Sequence, residues 1–125
     1  MWSDRYNYYN LQSDRYYSEK LKTEEVIAVF LETGLFVQKN HQVLCNAVHF
    51  PWVEVILVKT EDGNFAASVN KIHYTNLVAI VCSKGQQTDD KRYADTFLKI
   101  AKTLHWKLYL EEDDDGNEDT EITSA

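Results

Sequence analysis

The sequence has one proline, four glycines and two cysteines in 125 residues. So little proline and glycine excludes a collagen-like or low-complexity chain. Two cysteines are too few for a disulfide-stapled secreted scaffold. Both Cys45 and Cys82 sit inside apolar, strand-like runs, where a reduced cysteine acts as a small buried hydrophobe. Long apolar runs are missing as well. Runs such as Val55–Val58 and Leu77–Cys82 fall far short of the roughly 20 residues of a membrane helix. The start of the chain, where Trp2 is followed by Ser-Asp-Arg, predicts no signal peptide. These absences predict a cytoplasmic protein with no membrane partner. There is no nucleophile elbow, phosphate loop or dinucleotide fingerprint, so no cofactor is expected and a non-catalytic role is favoured over an enzyme.

What is present suits one domain, since 44% of the residues are hydrophobic and the length matches a typical single core. The net charge of −7 is unevenly spread. Eight acidic residues and no basic one fall between Glu111 and Glu121; subtracting them from the total of 20 leaves 12 acidic against 13 basic residues. The body is close to neutral, and the acidity belongs to an appended segment. Such a segment repels nucleic acid and attracts basic proteins.

The other end is aromatic. Five of the eight tyrosines lie in the first 17 residues, and Ser-Asp-Arg-Tyr occurs at Ser3–Tyr6 and again at Ser13–Tyr16. In this arm Asp4, Arg5, Asp14 and Arg15 cancel, whereas nucleic-acid binders carry a basic stripe. Tyrosine is common in protein interfaces, so no nucleic-acid partner is expected.

Between the ends, hydrophobic spacing predicts two helices. In one, near Glu24–Thr33, Val26, Ile27, Phe30 and Leu31 form one face, Thr23 is the expected cap and Gly34 the stop. The second begins at Thr88 or Asp89 and buries Tyr93, Phe97, Ile100, Ala101 and Leu104. Strands are expected in the segments FVQKN, QVLCNAVHF, PWVEVILVK, NLVAIVCS and WKLYLE. Asp62-Gly63 reads as a hairpin turn leading to FAASV.

The fold class expected is α+β, a single small domain. Its mostly antiparallel sheet would have four to five strands with two helices packed on one face, in the order arm-α-β-β-β-α-β-acidic tail. The expected divisions are 1–17 for the aromatic arm, 18–110 for the α+β domain and 111–125 for a disordered acidic tail. The strands flanking the second helix could be parallel neighbours.

Candidate chemistry is sparse. Glu111, Asp113, Asp115, Asn117 and Asp119 approach the spacing of a calcium loop, but Ile122 occupies the position of its bidentate glutamate. His41, Cys45 and His49 are four residues apart, about 13 Å per step on a strand, which excludes a shared metal there. Glu54 shares a strand face with Trp52, Ile56 and Val58, and an acid among apolar neighbours is a candidate functional group.

The leading expectation is an acidic protein-binding domain, such as an inhibitor or immunity protein that neutralises a basic toxin or nuclease. Its contact residues would be Glu54, Glu61, Asp62, Glu111, Glu112, Asp113, Asp114 and Asp115, with Tyr6 and Tyr9. The alternatives are a homo-oligomer, such as a homodimer, built through the aromatic arm, or a small enzyme using Cys82 or Glu54.

Overall fold

The computed structural model describes residues 6–60, 72–84, 87–112 and 118–123. Seven strands form one sheet: β1 (Tyr6–Gln12), β3 (Phe36–Gln38), β4 (Val43–Asn46), β5 (Val53–Val58), β7 (Leu77–Ser83), β8 (Lys107–Glu112) and β9 (Glu118–Ile122). Their order across the sheet is β3-β4-β5-β7-β1-β8-β9. All six neighbouring pairs are antiparallel. A second small ladder joins β2 (Leu21–Lys22) to β6 (Tyr74–Thr75). Helices α1 (Thr23–Glu32) and α2 (Gln87–Leu104) complete the α+β domain.

Alternation builds the covered side of the sheet. Tyr9 and Leu11 on β1, Val53, Val55 and Leu57 on β5, and Val78, Ile80 and Cys82 on β7 are all buried. The register sets Tyr9 and Val55 on either side of Ile80, and Leu11 and Leu57 on either side of Val78. Helix α2 contributes Tyr93, Phe97, Ile100, Ala101 and Leu104, and α1 contributes Val26 and Phe30, to the same core. Rings run through it in a chain, Phe30–Phe36–Phe50–Tyr93–Phe97–Tyr9, with centroids 5.0–5.9 Å apart.

Helix α1 stops where expected: Gly34 adopts φ 73° and its N–H donates to Leu31 O at 3.1 Å, the left-handed conformation glycine takes without a Cβ penalty. Thr23 does not cap its own helix. Its hydroxyl pairs with the Thr75 hydroxyl at 2.8 Å, tying α1 to β6. Helix α2 ends without glycine. His105 takes φ 60°, with His105 N donating to Lys102 O and Trp106 N to Ala101 O, the paired bonds of a Schellman cap.

Four expectations need correction. The strand count is seven rather than four or five. The supposed arm enters the sheet: Tyr6–Gln12 lies between β7 and β8 and pairs with both. Its Tyr and Asn residues read as polar, yet flanking strands satisfy its backbone on both edges, and burial of Tyr9 and Leu11 holds it there. Consequently β7 and β8 point the same way but are not neighbours, because β1 separates them. The acidic tail is also partly ordered. Glu118–Ile122 pairs with β8, and Ile122 packs against the core. That contact supplies the apolar anchor that composition alone undervalues. The expected Asp62-Gly63 turn and FAASV strand lie outside the described residues.

Candidate protein-binding face

The opposite side of the sheet has a different character. Among the described residues no helix packs on it. One row of side chains crosses it through successive cross-strand partners: Val37, Cys45, Glu54, Val81 and Tyr8. The next row is Val43, Ile56, Ala79, Asn10, Tyr109 and Glu121. Above the first row, Tyr6 lies opposite Ser83, and its ring meets Trp52 with centroids 5.6 Å apart. Val37, Trp52 and Tyr6 are 47%, 45% and 39% exposed. Tyr8, Val43, Cys45, Ile56, Ala79 and Val81 are half-buried. Large contiguous apolar surfaces mark contact sites for proteins, membranes or ligands, which makes this face the candidate site.

Trp52 is held firmly despite its exposure. The Tyr93 hydroxyl, rising from the core, donates to Trp52 O. The next residue, Val53, donates its N–H to Asn46 Oδ1 at 3.3 Å. Asn46 Nδ2 in turn donates to Ala47 O and Phe50 O, closing the loop between β4 and β5. The buried face thus fixes the backbone that presents the exposed indole, and a preorganised anchor loses less freedom on binding.

The charges on this face are few. Glu54 stands in the middle, and Lys39 Nζ lies 3.6 Å from its Oε2. Toward the β8–β9 edge the charge becomes mixed. Glu111 follows Tyr109 on the same face, and Glu121 pairs across from Tyr109. The Arg15 guanidinium covers the Tyr109 ring at 5.1 Å, leaving Tyr109 3% exposed.

The expected contact residues therefore separate. Glu54, Glu111 and Tyr6 share the open face, with Tyr6 close to Trp52. Tyr9 does not belong there: it faces the helices, is 6% exposed and meets Phe97 edge-on. A one-residue step along a strand reverses the side of the sheet, which is why Tyr8 and not Tyr9 is available at the surface. Glu112 ends β8 in register with Glu118. Glu61, Asp62, Asp113, Asp114 and Asp115 lie outside the described residues. Trp52, Tyr8, Val37, Ile56 and Val81 were missed as surface residues. The alternation Trp52-Glu54-Ile56 carried the signal, because the only acid of β5 marks its outer side.

Cys82, the candidate nucleophile, is fully buried. Its thiol is pushed up to about 12, first by burial and then by the negative charge of Asp90. A thiol of that kind is not a thiolate at neutral pH and is a poor nucleophile. The same two influences, with the nearby Cys82, raise the Tyr9 hydroxyl above its ordinary value. Cys45 is half-buried on the open face, on the opposite side of the sheet from Cys82, so the two do not form a disulfide in this fold.

Of the first Ser-Asp-Arg-Tyr copy only Tyr6 is among the described residues, in β1, whereas the second copy follows the end of that strand. Asp14 Oδ1 accepts the N–H groups of Tyr16 and Ser18, forming a polar turn. Hydrogen bonds from Ser18 and then Tyr16 lower the Asp14 carboxyl below its usual value. Tyr16 is 83% exposed in that turn, whereas Tyr6 begins β1.

On the helix side, an open groove between α1 and α2 is lined by Val29, Glu32, Leu35, Asp95, Lys99 and Ile100. Among the described residues no group of three His, Cys, Asp or Glu side chains is arranged to hold a metal. No described helix is long and apolar enough to cross a membrane. Comparison of the chain with protein-family models, curated proteins and solved structures finds no match.

Proposed function

We propose that the protein is a non-catalytic binding domain that receives a basic protein partner on the open face of its sheet. An inhibitor or immunity protein for a basic toxin or nuclease is the concrete form of this reading. The observation that carries it is the joined surface of Tyr6, Tyr8, Trp52, Ile56, Val81 and Val37 around Glu54. Aromatic anchors at the centre of an interface supply most of its affinity, and acidic residues at its margin speed encounter with a basic partner. The acidic strand β9 and the end of β8 extend that margin.

The enzyme alternative is weakened by the burial of Cys82 and by the setting of Glu54 on an open sheet rather than in a cleft. A second copy of this chain remains the competing occupant of the face.

The test compares the full chain with a Tyr6→Ala/Trp52→Ala double variant. Each is used to capture proteins from native lysate at low and high salt, and any captured protein is purified and titrated calorimetrically. A basic protein binding 1:1, weakened about 30-fold or more by the double variant as expected for loss of central anchors, supports the proposal. Equal binding by both forms moves the contact elsewhere. A concentration-dependent doubling of mass with no basic partner turns the face into a homodimer interface.

A further inference from the structure

The open face contains one acid amid apolar side chains, and that acid already holds a cation. Glu54 is in the central row of the face, with its side chain 34% exposed. Trp52 precedes it by two residues, immediately before β5 begins at Val53, and its exposed ring lies on the same open side as Glu54, where Tyr6 also projects. The Trp52 ring is in turn in contact with Tyr6. The cation is Lys39, whose ammonium sits 3.6 Å from Glu54 Oε2 while its side chain is 59% exposed. It reaches Glu54 from the edge of the sheet, where Lys39 N donates to Val43 O just beyond β3.

We infer that Glu54, Trp52 and Tyr6 form the seat of one arginine from the basic partner, and that Lys39 is an intramolecular occupant which this arginine displaces. The inference rests on the proposed function and names the chemistry of its central contact. Charge complementarity selects a cation. The aromatic pair selects arginine over lysine, because a guanidinium stacks on an indole and also grips a carboxylate with two parallel N–H groups. The apolar surroundings require that the arginine be flanked by apolar side chains in the partner. Lys39 is poorly suited to keep the position. It is long and solvent-exposed, and such pairs contribute little.

The probe is the tripeptide amide acetyl-leucyl-arginyl-leucine, titrated into the full-length protein and followed by the Trp52 indole N–H resonance. The same tripeptide with norleucine in place of arginine is the control. The arginine peptide is expected to shift the indole and the Val81 amide; the norleucine peptide is not. Glu54→Gln keeps the shape and folded spectrum and should abolish the shift. Lys39→Ala should tighten binding by about two- to fivefold, the range of an exposed ion pair released. Lys102→Ala removes the same charge from α2, away from the sheet, and should leave binding unchanged.

An unmoved indole, equal binding by Glu54→Gln, or weaker binding by Lys39→Ala overturns the inference. Shifts confined to β8 and β9 overturn it too, while leaving a basic partner intact. A captured partner that is lost with Tyr6→Ala/Trp52→Ala but unaffected by Glu54→Gln separates the two ideas in the same way.

Discussion

The two sides of the sheet are built from the same seven strands, yet they use aromatic residues in opposite ways. On the helix side, Phe30, Phe36, Phe50, Tyr93, Phe97 and Tyr9 touch one another in sequence and are all nearly inaccessible. On the open side, Tyr6 and Trp52 touch each other and face water. The first group is fixed by packing and stabilises the fold. The second stands on a held backbone, Trp52 through Tyr93 and Asn46 and Tyr6 through its pairing with β7, and its rings are left partly exposed. An exposed aromatic on a held backbone costs the fold little and is already shaped for binding.

That contrast can be broken most decisively by truncation. Phe97→Ala removes the ring that joins Tyr93 to Tyr9 and is expected to cost about 3–5 kcal/mol, as large-to-small changes of buried rings do. Trp52→Ala should cost less than about 1 kcal/mol, since the indole is half exposed. Urea denaturation of both variants measures the difference, and equal losses would mean that the open side is as structural as the covered one.

Alkali sharpens the same comparison. The unfolded Cys82 thiol ionises near its ordinary value of 9.0, but the folded thiol stays protonated until about 12. Stability is therefore complete below about pH 9 and is lost as pH rises toward 12, with a slope of at most about 1.4 kcal/mol per pH unit from this group. Tyr9, also raised by burial, acts in the same direction. Cys82→Ala should flatten the decline measured by denaturation between pH 8 and 11. In the native protein at pH 8, a maleimide should modify Cys45 at least about tenfold faster than Cys82, because Cys45 is half-buried while Cys82 is inaccessible and its thiol is held protonated by burial.

The smallest expected effect lies at the acidic margin. Glu111→Gln and Glu121→Gln should change stability by no more than about 0.5 kcal/mol. They should nevertheless slow association with a basic partner at low salt and leave the dissociation rate unchanged. Stopped-flow traces at two ionic strengths read this directly, and a change confined to dissociation would put these acids inside the contact rather than at its rim.

Much of this architecture was legible beforehand. The spacing of Val26 and Phe30, the glycine at 34, and the face Tyr93-Phe97-Ile100-Leu104 define both helices from local geometry. The alternation in Trp52–Val58 separates two faces of β5, one with three valine or leucine residues and one containing Glu54. The site was only half legible. Tyr6 and Glu54 were named, but nothing local joins them, because Tyr6 reaches Trp52 only through β7, which separates their strands. Tyr9 was assigned to the surface because the face of a polar-looking strand depends on what packs above it.

The sequence by itself therefore determined where helices start and stop, to within a residue or two, and that the segments of β3, β4, β5, β7 and β8 extend, since these follow from backbone geometry within a few residues. Tertiary structure alone decided that β1 would enter the sheet between β7 and β8, that β9 would close its edge, and which side of every strand the helices would cover. Those choices depend on pairings between segments distant along the chain and on one shared core. Their free energy is collected only when all of the partners are present, so no local window contains it.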